Sequence, residues 1–121
     1  MTALVVVGVG LLGGVGAVAR FLLDGAVASR AASAFPWGTL AVNLTGALVL
    51  GILAGAGVNG DALRLFGTGL LGGYTTFSTW MLESHRLGED GRVRLGWANV
   101  LVSLALGLAC VWLGDQIGGA L

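Results

Sequence analysis

The sequence predicts an all-α integral membrane protein, a single transmembrane domain over residues 1–121 with four membrane-crossing helices. Three observations carry that prediction. Only 12 of the 121 residues are charged, six basic and six acidic, while 56% are hydrophobic; a soluble domain needs roughly a quarter of its residues charged to cover its surface. The charges are also clustered, which leaves charge-free windows at 1–19, 31–60, 65–82 and 95–114, and about 20 apolar residues cross a bilayer as a helix. Finally, 23 residues are glycine, about one in five against roughly 7% in ordinary proteins. In lipid, small residues let helix backbones approach closely. The same composition excludes other classes. A disordered chain would be polar and rich in charge. With no lysine and no net charge, there is no basic stripe to neutralise the phosphates of a nucleic acid. A single cysteine excludes a disulfide framework or a cysteine-based metal site.

The first helix is expected at about 3–24. It has no positive leader and its apolar run is too long for a signal peptide. Arg20 reads either as a functional residue or as a snorkelling side chain paired with Asp24 four positions on. The second helix is expected at about 37–57, where Pro36 suits a helix start and Trp37 the water–lipid interface. Thr39 and Asn43, four apart, share a face of it. Gly10 and Gly14, like Gly51 and Gly55, have the spacing of close-packing pairs. The fourth helix is expected at about 95–115, with Trp97 and Trp112 near its ends and a stripe of Asn99, Ser103 and Gly107. The two polar stripes read either as a narrow hydrogen-bonding path or as interhelical hydrogen bonds, worth about 0.6 kcal/mol each. A chain this small can hardly enclose a path alone, so an oligomer is expected.

The third helix, at about 63–85, has an unusual centre: Gly72-Gly73-Tyr74-Thr75-Thr76-Phe77-Ser78-Thr79-Trp80. A glycine pair followed by β-branched and hydroxyl residues makes a poor helix. Two readings follow. Either the helix breaks at mid-membrane, freeing carbonyls that protein, water or a small hard cation such as Na⁺ must satisfy, or it is continuous with its hydroxyls bonded back to its own carbonyls.

Three segments in this order, Gly13-Gly14-Val15-Gly16-Ala17-Val18-Ala19-Arg20-Phe21, Trp37-Gly38-Thr39-Leu40-Ala41-Val42-Asn43-Leu44-Thr45-Gly46 and Gly69-Leu70-Leu71-Gly72-Gly73-Tyr74-Thr75-Thr76-Phe77-Ser78-Thr79, resemble the CrcB/Fluc fluoride channels. The order and spacing match across the whole chain, and the third segment is the most specific. The resemblance implies an antiparallel, dual-topology-type dimer of four-helix subunits that carries fluoride passively out across the bacterial plasma membrane and so limits its toxicity. It implies a third helix broken mid-membrane, with a structural, non-transported Na⁺ at the dimer centre held by the backbone carbonyls of Gly72 and Thr75 from both subunits. It places Asn43 and Phe77 in the pore, with hydroxyls from Thr76, Thr79 and Ser103 along it, and Arg20 at the family's arginine near the end of the first helix. Thr39 and the positions of Trp80 and Asn99 complete the expected pore lining. The last two depart from the family's pattern: Trp80 stands where a second phenylalanine is usual and Asn99 where a tyrosine is.

The chemistry is consistent with that reading. Fluoride holds its water tightly, so a pore must offer donors in exchange, which hydroxyls and a carboxamide can supply. An aromatic edge is electropositive. Passage also needs sites weak enough to leave. The rival readings are a proton-coupled small exporter of the four-helix dimeric kind and a non-transporting membrane subunit. The exporter needs a carboxylate inside the membrane, whereas Asp24, Asp61, Glu83 and Asp115 all lie at window edges. The subunit would need neither the polar stripes nor the unusual third segment. His85 reads as an exposed polar cap and Cys110 as a small hydrophobe. No nucleophile–histidine arrangement can be assembled, so enzymatic catalysis is not expected. Four spans put connections 25–36 and 86–94 on one side, with Arg20, Arg30, Arg86, Arg92 and Arg94 toward it, against Arg64 alone toward the other. Positive charge stays in the cytoplasm. That imbalance favours one fixed orientation and hence a heterodimer with an oppositely inserted homologue, while the resemblance makes the homodimer the default.

Overall fold

The computed structural model describes residues 1–121, all-helical with no strand. Helix α1 runs Ala3–Ala31. It opens on Thr2, whose hydroxyl accepts the Val5 amide at 3.2 Å. It ends at Ala32, left-handed at φ 41°, whose N–H donates to the Ala28 carbonyl. The helix therefore extends seven residues past the expected end at 24, and the connection to α2 shrinks to residues 32–36. Arg20, Asp24 and Arg30 all lie within it. A charge marks where lipid ends; only a cap or a proline ends the helix.

Helix α2 runs Trp37–Gly55, directly after Pro36, and stops two residues before the expected 57, ahead of Gly57 at φ 76°. Helix α6 runs Val93–Gly119, two residues longer at its start and four at its end than expected, with Asp115 inside its last turns. A tight turn precedes it, with Gly91 at φ 79° and the Arg92 amide donating to the Leu87 carbonyl at 2.7 Å.

The stretch expected as the third helix, at about 63–85, is not one continuous helix, and of the two readings of its centre the uninterrupted one is set aside. That stretch consists of α3 (Gly60–Ala62), a π-helical run Leu63–Leu71, α4 (Gly72–Tyr74) and α5 (Ser78–Glu89), with residues 75–77 outside any helix. Gly72 N donates to Gly67 O, the wide i→i+5 closure of a π turn. Thr75 is extended at φ −83°, ψ 160°. Consequently three helices, α1, α2 and α6, are long and apolar enough to cross a membrane. At 1.5 Å per residue they measure ~43, ~28 and ~40 Å, against a hydrocarbon core of ~30 Å.

The centre of the fold is the crossing of α2 on α6, and glycine makes it possible. A Cβ on Gly51 would meet the Val111 carbonyl, and one on Gly55 the Asp115 carbonyl. In return, a Cβ on Gly114 would meet the Leu48 carbonyl and one on Gly118 the Ile52 carbonyl. Two small-xxx-small pairs thus face each other, backbone to backbone. Val42 of α2 is completely buried. On the other flank α1 packs on the π-helical run and α4, where Gly16 abuts the Leu70 carbonyl and Gly73 the backbone of Gly13. Gly10 and Gly14, with the same spacing as Gly51 and Gly55, face open space. Around them α1 presents Leu4, Leu11 and Phe21 outward, 69–82% exposed, an apolar face suited to lipid or another subunit.

Candidate functional site

The non-helical residues 75–77 need hydrogen bonds from somewhere, because an unpaired backbone group away from water is costly. The Thr75 amide still donates to the Leu71 carbonyl and the Phe77 carbonyl accepts the Met81 amide, while both partners of Thr76 come from Asn43 of α2. Its Oδ1 accepts the Thr76 amide at 2.8 Å and its Nδ2 donates to the Thr76 carbonyl, also at 2.8 Å. One carboxamide thus replaces both ladder bonds of Thr76. The Thr76 hydroxyl then accepts the Thr79 amide at 3.1 Å and caps the first turn of α5. The Thr75 hydroxyl donates to the Leu71 carbonyl at 2.9 Å, and Thr45 of α2 pairs with the Tyr74 hydroxyl at 2.8 Å.

This clamp borders a cavity of about 420 Å³ whose wall carries no charged residue. Gly72, Thr75, Thr76, Phe77, Trp80, Asn43 and Ser103 all line it, together with apolar residues of α2 and α6. Phe77 is 70% exposed. Its ring stands perpendicular to that of Trp80, centroids 5.7 Å apart. Three of the expected pore residues lie off this wall: Thr39, Thr79 and Asn99. Thr39 is buried and donates to Glu83 Oε1. Asn99, 1% exposed, is enclosed between α5 and α6.

The donors that face the cavity are few. The protons of Thr75 and Ser103 are given to the Leu71 carbonyl and to Asn99 Oδ1, and the indole N–H of Trp80 to the Asn99 carbonyl. Asn43 has two N–H groups and spends one on Thr76. Its second N–H is therefore a free side-chain donor on the wall, joined by the proton shared between Thr76 and Ser78 and by the Phe77 amide, which has no acceptor within the chain.

Arg20 does not pair with Asp24; the arginine–carboxylate ion pair of the chain is Arg64–Asp61, which is exposed, as is the contact of His85 Nε2 with Glu89. Its Nε reaches the Gly73 carbonyl at 3.5 Å instead. Asp24 packs against Gly38, where no Cβ stands in its way. Three residues have clear roles that the sequence alone does not reveal: Glu83, Gly114 and Gly118. Glu83 was placed at a window edge, yet it receives the Thr39 hydroxyl; the signal was Thr39 itself, a buried hydroxyl with no local partner. Gly114 and Gly118 repeat the spacing of Gly51 and Gly55, but Asp115 between them looked like the end of a span.

Helices of membrane-crossing length around an uncharged, donor-bearing cavity define a small polytopic membrane protein. Residues 7–115 match the family described as CrcB-like protein, Camphor Resistance (CrcB), and the chain belongs to that family. It is 55% identical over 117 residues to the fluoride-specific ion channel FluC 2 of Mycobacterium bovis, covering 97% of this chain and 93% of that one. It is 54% identical to the FluC 2 of Mycolicibacterium paratuberculosis, covering 96% and 95%. To the fluoride-specific ion channel FluC 1 of Leifsonia xyli it is 43% identical, covering 98% and 90%. These relatives are named as ion channels, not as enzymes.

Proposed function

We propose that the chain is a subunit of a fluoride-specific channel in the bacterial plasma membrane, through which fluoride leaves the cell down its gradient. One observation carries the reading: an uncharged cavity whose wall offers a carboxamide N–H from Asn43 beside an exposed aromatic ring, Phe77. Donors and electropositive ring edges replace the water of a small anion, and the lack of a charged side chain on the wall lets the ion leave again. The relatives' names point to the same ion. With Phe77 so exposed, a second subunit completes the wall, and the antiparallel dimer supplies it. The interruption at 75–77 then lies near the bilayer midplane.

Gly72 and Thr75 fit a structural Na⁺ there. The amides that would close helical turns on their carbonyls, Thr76 N and Thr79 N, donate to Asn43 and to the Thr76 side chain instead. That leaves two hard oxygen ligands of the kind Na⁺ takes. A bound Na⁺ supplies a fixed positive charge that satisfies these carbonyls. A Cβ on Gly72 meets only the Gly67 carbonyl, at 3.8 Å, so the glycine is not required by packing within the chain.

The test is efflux from liposomes holding the purified chain. Fluoride should leave down its own gradient with no proton gradient imposed, chloride should not, and activity should vanish after Na⁺ is replaced throughout by a large organic cation. Efflux that requires a proton gradient would support the exporter reading instead, with Glu83 as its acid. Full activity without Na⁺ would remove the cation site.

Topology separates two forms of the dimer. Arg20 lies inside α1 and turns to Gly73, which leaves Arg30, Arg86, Arg92 and Arg94 at one end and Arg64 at the other. This four-to-one bias favours a single orientation. A C-terminal topology reporter on the chain expressed alone is expected to signal mainly from outside, as in a heterodimer with an oppositely inserted homologue. Equal signals from both sides, with efflux by the single purified chain, would establish the homodimer.

A further inference from the structure

Trp80 and Asn99 hold each other from both ends. The indole Nε1 of Trp80 donates to the Asn99 backbone carbonyl at 3.0 Å. The Asn99 Nδ2 donates to Ser84 Oγ at 2.8 Å and, at 3.4 Å, to the Trp80 carbonyl. Ser84 Oγ itself donates to that same Trp80 carbonyl at 2.8 Å. On the other side, Asn99 Oδ1 accepts the Ser103 hydroxyl at 3.2 Å. A carboxamide has two N–H groups and one oxygen, and here every one is engaged. Asn99 is 1% exposed and off the cavity wall, so it has neither the access nor a free group with which to meet an ion. The two residues it holds, Trp80 and Ser103, are both on the wall.

Two consequences follow for the wall. A serine hydroxyl has one proton, and the Ser103 proton is directed at Asn99, so Ser103 turns lone pairs rather than a donor to the cavity. The indole N–H of Trp80 is pinned to the backbone of α6, which fixes the ring perpendicular to Phe77. A fully satisfied buried network of this kind specifies one arrangement. We infer that Asn99 is a positioning residue of the ion pathway: its side chain holds the Ser103 hydroxyl and ties α5, at Ser84 and the Trp80 carbonyl, to α6, where its own main-chain carbonyl takes the indole N–H, so it sets the ring and the hydroxyl that the ion meets without touching the ion itself. The flux part of this inference rests on the channel reading; the network does not.

The experiment pairs a spectroscopic readout with flux. The indole ¹H–¹⁵N resonance of Trp80 is assigned in detergent by its loss in Trp80→Phe. Asn99→Leu, similar in volume, should shift that resonance and speed its hydrogen exchange while those of Trp37, Trp97 and Trp112 stay in place. In liposomes Asn99→Leu and Trp80→Phe should each slow fluoride efflux about tenfold, the effect of losing one buried hydrogen bond in the pathway. The double variant should be slowed by less than the product of the two single losses, because the two variants remove different bonds that place the same ring. Ser84→Ala, which touches the network away from the cavity, should shift the Trp80 resonance by less and keeps the test open if Asn99→Leu does not fold. An unmoved Trp80 resonance in both the Asn99 and Ser84 variants, or wild-type efflux in a folded Asn99→Leu, or losses that multiply in the double variant, would overturn the inference. Absence of fluoride efflux in the wild-type chain would instead overturn the channel reading, and the resonance would still decide the network.

Discussion

Asn43→Ala should slow fluoride efflux from liposomes by about two orders of magnitude. Thr76 makes no helical ladder bond, and Asn43 alone pairs both its amide and its carbonyl, each at 2.8 Å. Truncation leaves both groups without partners, and each such loss costs ~1–3 kcal/mol. It also removes the free carboxamide donor on the cavity wall. Asn43→Asp separates these effects, since it keeps the oxygen that accepts the Thr76 amide but sets a second oxygen against the Thr76 carbonyl. It should be nearly as slow. Phe77→Leu removes the ring but none of these hydrogen bonds, so the protein should elute like wild type from a sizing column while efflux falls sharply. Wild-type efflux from both Asn43→Ala and Phe77→Leu would remove this cavity from the pathway.

The largest effect on the fold is expected from Gly114→Leu. Even the first carbon of a side chain there would run into the Leu48 carbonyl, with the Ile52 amide and Gly51 Cα close behind. Those are backbone atoms of the facing helix, which cannot rotate aside as a side chain can. Overpacking a tight site costs ~1–3 kcal/mol or more, out of a total stability of only ~5–15 kcal/mol. The α2–α6 crossing carries the fold, so the variant should lose its monodisperse peak in detergent at a temperature well below wild type. Gly14→Leu, whose position is open, is the matched control within the isolated subunit. Equal thermal midpoints for Gly114→Leu and wild type would mean that the crossing does not hold the molecule together.

Much of this protein was legible in one dimension because lipid dictates composition directly. A bilayer tolerates few charges, so the charge-free windows at 1–19, 31–60 and 95–114 locate the three long apolar helices without any knowledge of packing. Pro36 and Trp37 likewise mark the start of α2, since proline restricts the backbone locally. The window at 65–82 shows where such reading stops. Its apolar content is that of a span, but its winding depends on Gly67, on the extended Thr75 and on Asn43 of another helix.

Periodicity reported that Thr39 and Asn43 share a face; it could not say what each one faces. Thr39 meets Glu83, 44 positions away, Asn43 meets Thr76, 33 away, and Trp80 meets the Asn99 carbonyl, 19 away. The glycine pairs make the same point. Gly10–Gly14 and Gly51–Gly55 are identical as spacings, yet only the second pair has a helix against it. Composition and period thus settled which segments enter the membrane and which residues line up along each helix, because those properties belong to a single segment and its solvent. The tertiary structure decided which polar group satisfies which, and so which donors remain for an ion, because a hydrogen bond between two helices depends on how both are placed.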